Sequence, residues 1–598
     1  MADTTPRFAF GIEARTHDDG VLLASAPARY TPVGSSHVMR QSQLDGSTAL
    51  LPLEDAAFLA QCVEFGTLAA HAREISARFG TQITHATKVL QRLRAAGVLR
   101  PLAAWIDGPG AAARAPLPEP LIAIRTWHRP QLLARLLDSL VADERRFGVT
   151  RRYVVIDDGT KPELSHAVAA EVARFRRRTE SPVYRVGPEH RAVVREALGS
   201  ALTASERQAL AELVDPAFPT GYTGSRSWNL ALLASAGSSL SVLDDDLVFD
   251  VRLTPPGRPG IEIRDSVLSA VRFLDADADY ARLPPAETDV LSELCQRVGQ
   301  PALGFAPLHA LDAAALRGRS SHELLPLIHH APVLAAFGGN YGGFAYDSGI
   351  HLAYGSEDSM RDLWREPFDR NRLEGDHIWR GVADYRLLSR ACYSPLLTDT
   401  RELMPFAGTW GRADDAYVLD VLAALVEWPL FLYTPHLVGH FPGEPRARLA
   451  RALEQPLIRD LNVFVASEVR AAGAHLIGAD RSRRLAALAA MIGNLADGTE
   501  AELHAALSTW IERDLCLVIR QLQQCLDQYP NAPTAWRDIA TRMIAVNRVA
   551  LGGEIDAETA ATARRALAQF AVAASFWPRV WQRATDSPLL DDVVKPVS

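Results

Sequence analysis

Lysine is nearly missing from this chain. It occurs only at Lys88, Lys161 and Lys595, and arginine carries almost all the positive charge. The net charge is −8, so the basic excess of a general nucleic-acid binder is absent. Cysteine is scarce and odd in number: Cys62, Cys295, Cys392, Cys516 and Cys525 lie far apart, without metal-site spacing. That argues against a disulfide framework and for reduced thiols. No apolar run reaches about 18 residues, and the first residues lack a basic-then-apolar signal. The expectation is a cytoplasmic protein with no membrane span. No Gly-rich signature loop follows the first strand of the central region, which argues against nucleotidyl transfer.

What is present is ordinary globular composition, 48% hydrophobic and 22% charged, over 598 residues. That length suits several units. The most informative stretch is SSLSVLDDDLVFD, 238–250. A short apolar strand runs into Asp244, Asp245 and Asp246. Adjacent carboxylates at a strand end repel one another, and a divalent cation is the usual reason to keep them. A solvated acidic turn is the alternative. Asp244 and Asp246 leave an extended chain on one side, so both can face one ion.

Residues 1–35 show no sustained period and read as an extension. From His37 two apolar-alternating runs flank Asp45-Gly46, a hairpin signal. Three helical patterns and an apolar strand follow, so 36–105 reads as a winged-helix-like module. It resembles PqqD-like peptide-recognition domains, on ALLPLEDAAFLAQC and VLQRLRAAGVL. That resemblance implies a leader peptide added as a strand at the hairpin edge. DNA reading through Lys88, Arg92 and Arg94, and a purely structural cap, stay open beside it.

A Gly/Ala/Pro-rich linker, 106–116, leads into alternating strands and helices over 117–445. This order predicts an α/β fold with a mostly parallel, Rossmann-like sheet and ligands at the strand ends. Asp157, Asp158 and the acidic trio fall at such ends. FGGNYGGFAYDSG, 337–349, suits a backbone approaching a ligand closely. From 446 to 598 the apolar spacing is helical, predicting an all-α domain whose Leu- and Ala-rich helices offer a face for a homo-oligomer.

LIAIRTWHRPQLLARLLDSL followed by YVVIDDGT resembles the opening of family 2 glycosyltransferases with the GT-A fold. RSWNLALLASAGSSLSVLDDD, GRADDAYVLDVL and PHLVGHF resemble that family's later blocks, in the family's order. The resemblance spans 117–445. It implies a nucleotide-sugar-binding GT-A sheet and a metal-dependent, inverting transfer from a nucleoside-diphosphate sugar, UDP-sugar favoured, to an acceptor. The cofactor it implies is Mn²⁺ or Mg²⁺. Asp246 is then the first metal ligand, with Asp244 on metal or ribose, and His440 before His436 as the late histidine. Thr126, Arg129, Asp157, Asp158, Arg226 and Asp245 fall to the nucleotide. Asp415, then Asp414, then Asp376 are the base candidates. Trp228-Asn229 departs from the family's Arg-Asn pair, with Arg226 two residues earlier. The terminal modules suggest a peptide or protein acceptor. The rival reading is a nucleotide-sensing regulator without turnover, binding DNA or peptide through its first module.

Overall fold

The structure is a computed structural model. It describes residues 20–101, 104, 114–215, 218, 223–254, 261–263, 270–274, 277–302, 318–342, 357–369, 372, 377–391, 394–443, 448–457, 460–476 and 478–597. The chain forms two compact units: Met1–Ala112 with Leu303–His330, and Ala113–Ala302 with Ala331–Ser598.

In the first unit, β2 (Ala28–Val33), β3 (His37–Ser42) and β4 (Thr48–Pro52) form an antiparallel sheet in that order. The expected hairpin is β3–β4, with Gly46 at φ 69° in its turn. β2 comes from the segment that reads in sequence as an extension without a sustained period. A second sheet pairs β1 (Leu22–Ser25) with β5 (Gly66–Thr67) and β6 (Leu99–Pro101).

Helices Leu53–Leu59, Leu68–Phe79 and Ile83–Ala95 complete the unit. Thr67 caps the second, accepting from the Ala70 amide at 3.2 Å, and Gly80 ends it in the left-handed region. Phe58, Leu59, Ile75, Val89, Leu90 and Leu93 fill the core. The later segment joins through backbone bonds between Phe65 and Arg319 and between Ser321 and Val63. Residues 318–330 therefore belong here, although the sequence places them inside the central region.

The second unit is mixed α/β, built on a sheet with twelve strands among the described residues. Its parallel part is β10 (Ser239–Asp244), β7 (Leu121–Thr126), β8 (Arg152–Asp157) and β9 (Val183–Val186), side by side in that order. These strands are near-continuous apolar runs because helices cover them. Helix Pro130–Phe147 buries Leu133, Leu136, Leu137 and Leu140, starts on Pro130 and stops at Gly148, φ 65°.

Beyond β10 the sheet is not parallel. β17 (Leu397–Asp399) runs antiparallel to β10 and to β14 (Ala335–Tyr341). β14 lies parallel to β18 (Phe431–His440), which pairs antiparallel with β11 (Leu247–Leu253). The sheet is thus mixed rather than mostly parallel. Gly339 of β14 and Gly342 just past its end approach β18 closely: a Cβ on Gly339 would collide with Leu437, and one on Gly342 with the His440 carbonyl. Residues 343–349 of that motif lie outside the described residues.

Helices Leu461–Gly473, Arg481–Asp497, Glu500–Gln528, Thr534–Val549 and Ala557–Asp586 follow the sheet. They share the sheet's compact unit rather than forming a separate one. Leu485, Ile492, Phe570 and Trp577 lie in one apolar core with Tyr417 and Phe431, and the Trp577 indole donates to the Met404 carbonyl at 2.8 Å. Among the described residues, no helix is long and apolar enough to cross a membrane.

Candidate active site

Register alone assembles the site. Asp244 at the end of β10 stands opposite Arg125 of β7, and Thr126 stands opposite Asp157 of β8. Three parallel strands therefore deliver carboxylates and an arginine to one sheet edge, where such folds bind ligands. Leu247 of β11 pairs with His440 of β18, and the Phe441 amide donates to the Asp246 carbonyl at 2.9 Å. This sets Asp246 beside His440.

The three aspartates have different partners. The half-exposed Asp244 carboxylate takes Arg125 Nη2 at 2.6 Å and Nε at 2.9 Å on one oxygen. Asp245 turns inward, accepting from the Thr126 hydroxyl at 2.8 Å and the Trp127 amide at 3.3 Å. Burial, then the neighbouring Asp246 charge, pushes its pKa up to about 7, against Arg129 and Thr126. Asp246 Oδ2 lies 3.4 Å from His440 Nε2 and 3.2 Å from Arg129 Nη1. Arg129 Nη1 also reaches Asp245 at 3.3 Å.

A hard dication takes carboxylate oxygen and imidazole nitrogen donors. Asp246 and His440 offer one of each, both nearly buried and close enough to share an ion. The pair fits two coordination positions. Asp244, the other proposed ligand, is held on one oxygen by Arg125. Among the described residues, no three His, Cys, Asp or Glu side chains converge as a metal site. His436 lies apart from the pair: its Nδ1 is 3.0 Å from the Thr434 hydroxyl and its ring meets Tyr385 edge-on. Burial lowers its pKa.

Asp157 is bonded on both oxygens. It accepts from the Gly159 amide at 2.9 Å, the Ser165 hydroxyl at 2.6 Å and Arg185 at 2.8 Å. Asp158 is buried, and its Oδ1 has no hydrogen-bond partner. Burial raises its pKa to about 8, against the Ser227 hydroxyl and the charges of Arg125 and Arg191. Arg226, a sequence candidate for phosphate, is fully buried instead. Its guanidinium donates to the carbonyls of Glu212 at 2.8 Å and Phe218 at 3.1 Å, so it supports the fold. Asn229 does the same, exchanging bonds with the Ala407 amide at 2.6 Å and carbonyl at 3.0 Å.

The acceptor-side candidates begin helix Asp414–Leu425. Ala413 is the N-cap, so Asp414 and Asp415 occupy the first turn rather than the cap. Asp414 Oδ2 takes Arg125 Nη1 at 2.7 Å. Burial raises its pKa to about 7, against Arg125. Asp415 accepts from the Ser394 hydroxyl at 2.9 Å and the Ala416 amide at 2.7 Å, and burial raises its pKa too. Asp376 lies outside the described residues.

Two features escaped the sequence. Arg125 joins the strand-end aspartate Asp244 to Asp414, and sits 5.4 Å below the Trp228 ring. Trp127 is half exposed at the end of β7 and stacks on His128, 4.8 Å between ring centres. His128 adopts φ 58° and its Nε2 accepts from the Thr160 amide at 2.8 Å and the Lys161 amide at 3.2 Å. An arginine inside a strand reading Leu-Ile-Ala-Ile-Arg-Thr was the available signal for the first.

No protein-family model matches the chain, and no curated protein matches it.

Proposed function

We propose that the chain is a glycosyltransferase of the family 2, GT-A kind, moving a sugar from a nucleoside-diphosphate sugar, UDP-sugar favoured, to a peptide or protein. The observation that carries this reading is the juxtaposition of Asp244, Asp246 with His440, and Asp414 at one sheet edge. Asp246 and His440 would hold a divalent ion, Mn²⁺ or Mg²⁺, which supplies Lewis-acid stabilisation of the leaving diphosphate. Arg129 is placed to move from Asp246 to a phosphate oxygen. Arg125 and Asp244 face the sugar and ribose side. Asp415 or Asp414 removes the acceptor proton as transfer proceeds with inversion; burial raises both carboxyl pKa values, that of Asp414 to about 7, which suits that task.

The first unit supplies the acceptor side of the proposal. The outer edge of β4 pairs with no strand among the described residues. Leu50, Leu53, Phe79 and Ile83 are large apolar residues exposed in the same unit. An extended peptide adding a strand there would gain main-chain bonds and apolar contacts. Cytoplasmic placement belongs to this reading.

One observation favours a second reading. Arg129 ion-pairs with both Asp245 and Asp246, as a nucleotide-sensing regulator without turnover would allow. The deciding experiment offers a panel of sugar nucleotides with Mn²⁺, with EDTA as control, scored by released nucleotide and thermal shift. Metal-dependent release supports the transferase. Thermal shift without release supports the sensor.

A further inference from the structure

The segment 407–413, which leads into Asp414 and Asp415, is stapled from helix Leu461–Gly473. Asp460 caps that helix through the Asn462 amide at 3.1 Å, and its other oxygen accepts from the Arg412 amide at 2.7 Å and the Ala413 amide at 3.0 Å. Asn462 is almost fully buried. Its Oδ1 accepts from the Trp410 amide at 3.2 Å, and its Nδ2 donates to the carbonyls of Gly408 at 2.8 Å and Gly411 at 3.0 Å. Two side chains thus satisfy five backbone groups in six consecutive residues.

The segment is shaped to receive them. A Cβ on Gly408 would lie 2.7 Å from Asn462 Oδ1, and a Cβ on Gly411 would collide with the Asp460 carboxylate. Helix Asp414–Leu425 has no side-chain cap of its own. The amides just ahead of it are satisfied by Asp460 instead, which fixes where the first turn begins.

We propose that Asp460 and Asn462 are positioning residues for the Asp414–Asp415 pair, so that the helical region after the sheet sets the geometry of the acceptor-side carboxylates. The clamp stands on contacts alone. What the pair does by being positioned rests on the glycosyltransferase reading. Displacing a reacting group by about 1 Å costs up to about a hundredfold in rate, and Asn462→Ala removes three of the five bonds that hold the segment.

The test uses the full chain with Asn462→Ala and, from the opposite side, Gly411→Ala. Hydrogen exchange by mass spectrometry reads the amides of Trp410, Arg412 and Ala413. Nucleotide release from UDP-glucose with Mn²⁺ reads function. In both variants exchange over 408–414 should accelerate about tenfold, as loss of a hydrogen bond implies, while the strands keep their protection. The kcat should fall at least about tenfold with donor KM unchanged, and its acid limb should shift.

Unchanged exchange overturns the clamp. Faster local exchange with unaltered kcat, or a higher donor KM at constant kcat, overturns the positioning role. Exchange rising throughout the chain makes the two residues general scaffolding and overturns it as well. If the unmodified chain releases nucleotide from no donor, the transferase reading fails, and the exchange arm alone decides the clamp.

Discussion

Arg125 Nη1 lies 2.7 Å from Asp414 Oδ2, joining the middle strand of the parallel block to the first turn of a helix 289 residues later. The same guanidinium binds Asp244. Both Arg125 and Asp414 are nearly buried, so the pair is screened little. Replacing Arg125 by Ala leaves Asp414 and Asp244 without that cation. Removing one partner of a buried pair costs about 3 kcal/mol, visible as a lower Tm at pH 8. Arg125→Lys restores one charge but cannot fork to both carboxylates, and should recover less than half of the loss. A neutral outcome for both variants would show that the bridge is incidental.

The raised pKa of Asp414 gives two pH signatures. As a base it must be ionised, so kcat should fall as pH drops through about 7. Stability runs the other way. Below the ordinary carboxyl pKa of 3.8, Asp414 is protonated whether the chain is folded or not. Between there and about 7 the unfolded chain has released the proton while the folded chain keeps it, so stability falls as pH rises across that window. Asp414→Asn removes this dependence. It should raise Tm relative to the parent at pH 8, with the gap closing toward pH 4, while abolishing transfer. A thermal melt series at both pH values checks the sign.

The two histidines of β18 should separate cleanly. His440→Ala removes one of the two donors that face one another and should weaken Mn²⁺ binding by about ten- to a hundredfold. His436→Ala acts on the Thr434 and Tyr385 surroundings and should leave Mn²⁺ affinity unchanged. Titration followed by manganese paramagnetic resonance reads both. Equal losses would place the ion elsewhere.

Asn229→Ala strands the Ala407 amide and carbonyl and the Leu213 carbonyl, all buried partners of its side chain. Each unsatisfied buried group costs about 1–3 kcal/mol, so the variant should be among the least stable single changes in the second unit. Its midpoint in urea, compared with that of a surface change such as Arg483→Ala, measures the effect.

Much of the site was readable because strand ends announce themselves. Apolar runs closing on Asp157-Asp158 and on the acidic trio marked β8 and β10. What the sequence hid was partner choice. Arg226 and Arg125 look alike in a string of letters, yet one donates to the Glu212 and Phe218 carbonyls and the other bridges two carboxylates. Long-range register decides this, and local pattern does not encode it. The antiparallel insertion of β17 between β10 and β14 was equally hidden, since a three-residue strand has no periodicity to detect. The same holds for Asp460 and Asn462, whose partners are backbone groups about fifty positions away.

The most direct measurement is calorimetric binding of UDP to the full chain with Mn²⁺, with Mn²⁺ removed by EDTA, and with Asp246→Asn. In the proposed function the strand-edge aspartates grip a diphosphate through a cation. That predicts binding with Mn²⁺, its loss on chelation, and a weakening of at least about tenfold in the variant. Binding that is indifferent to both the metal and Asp246, or no binding of any nucleoside diphosphate, would contradict it.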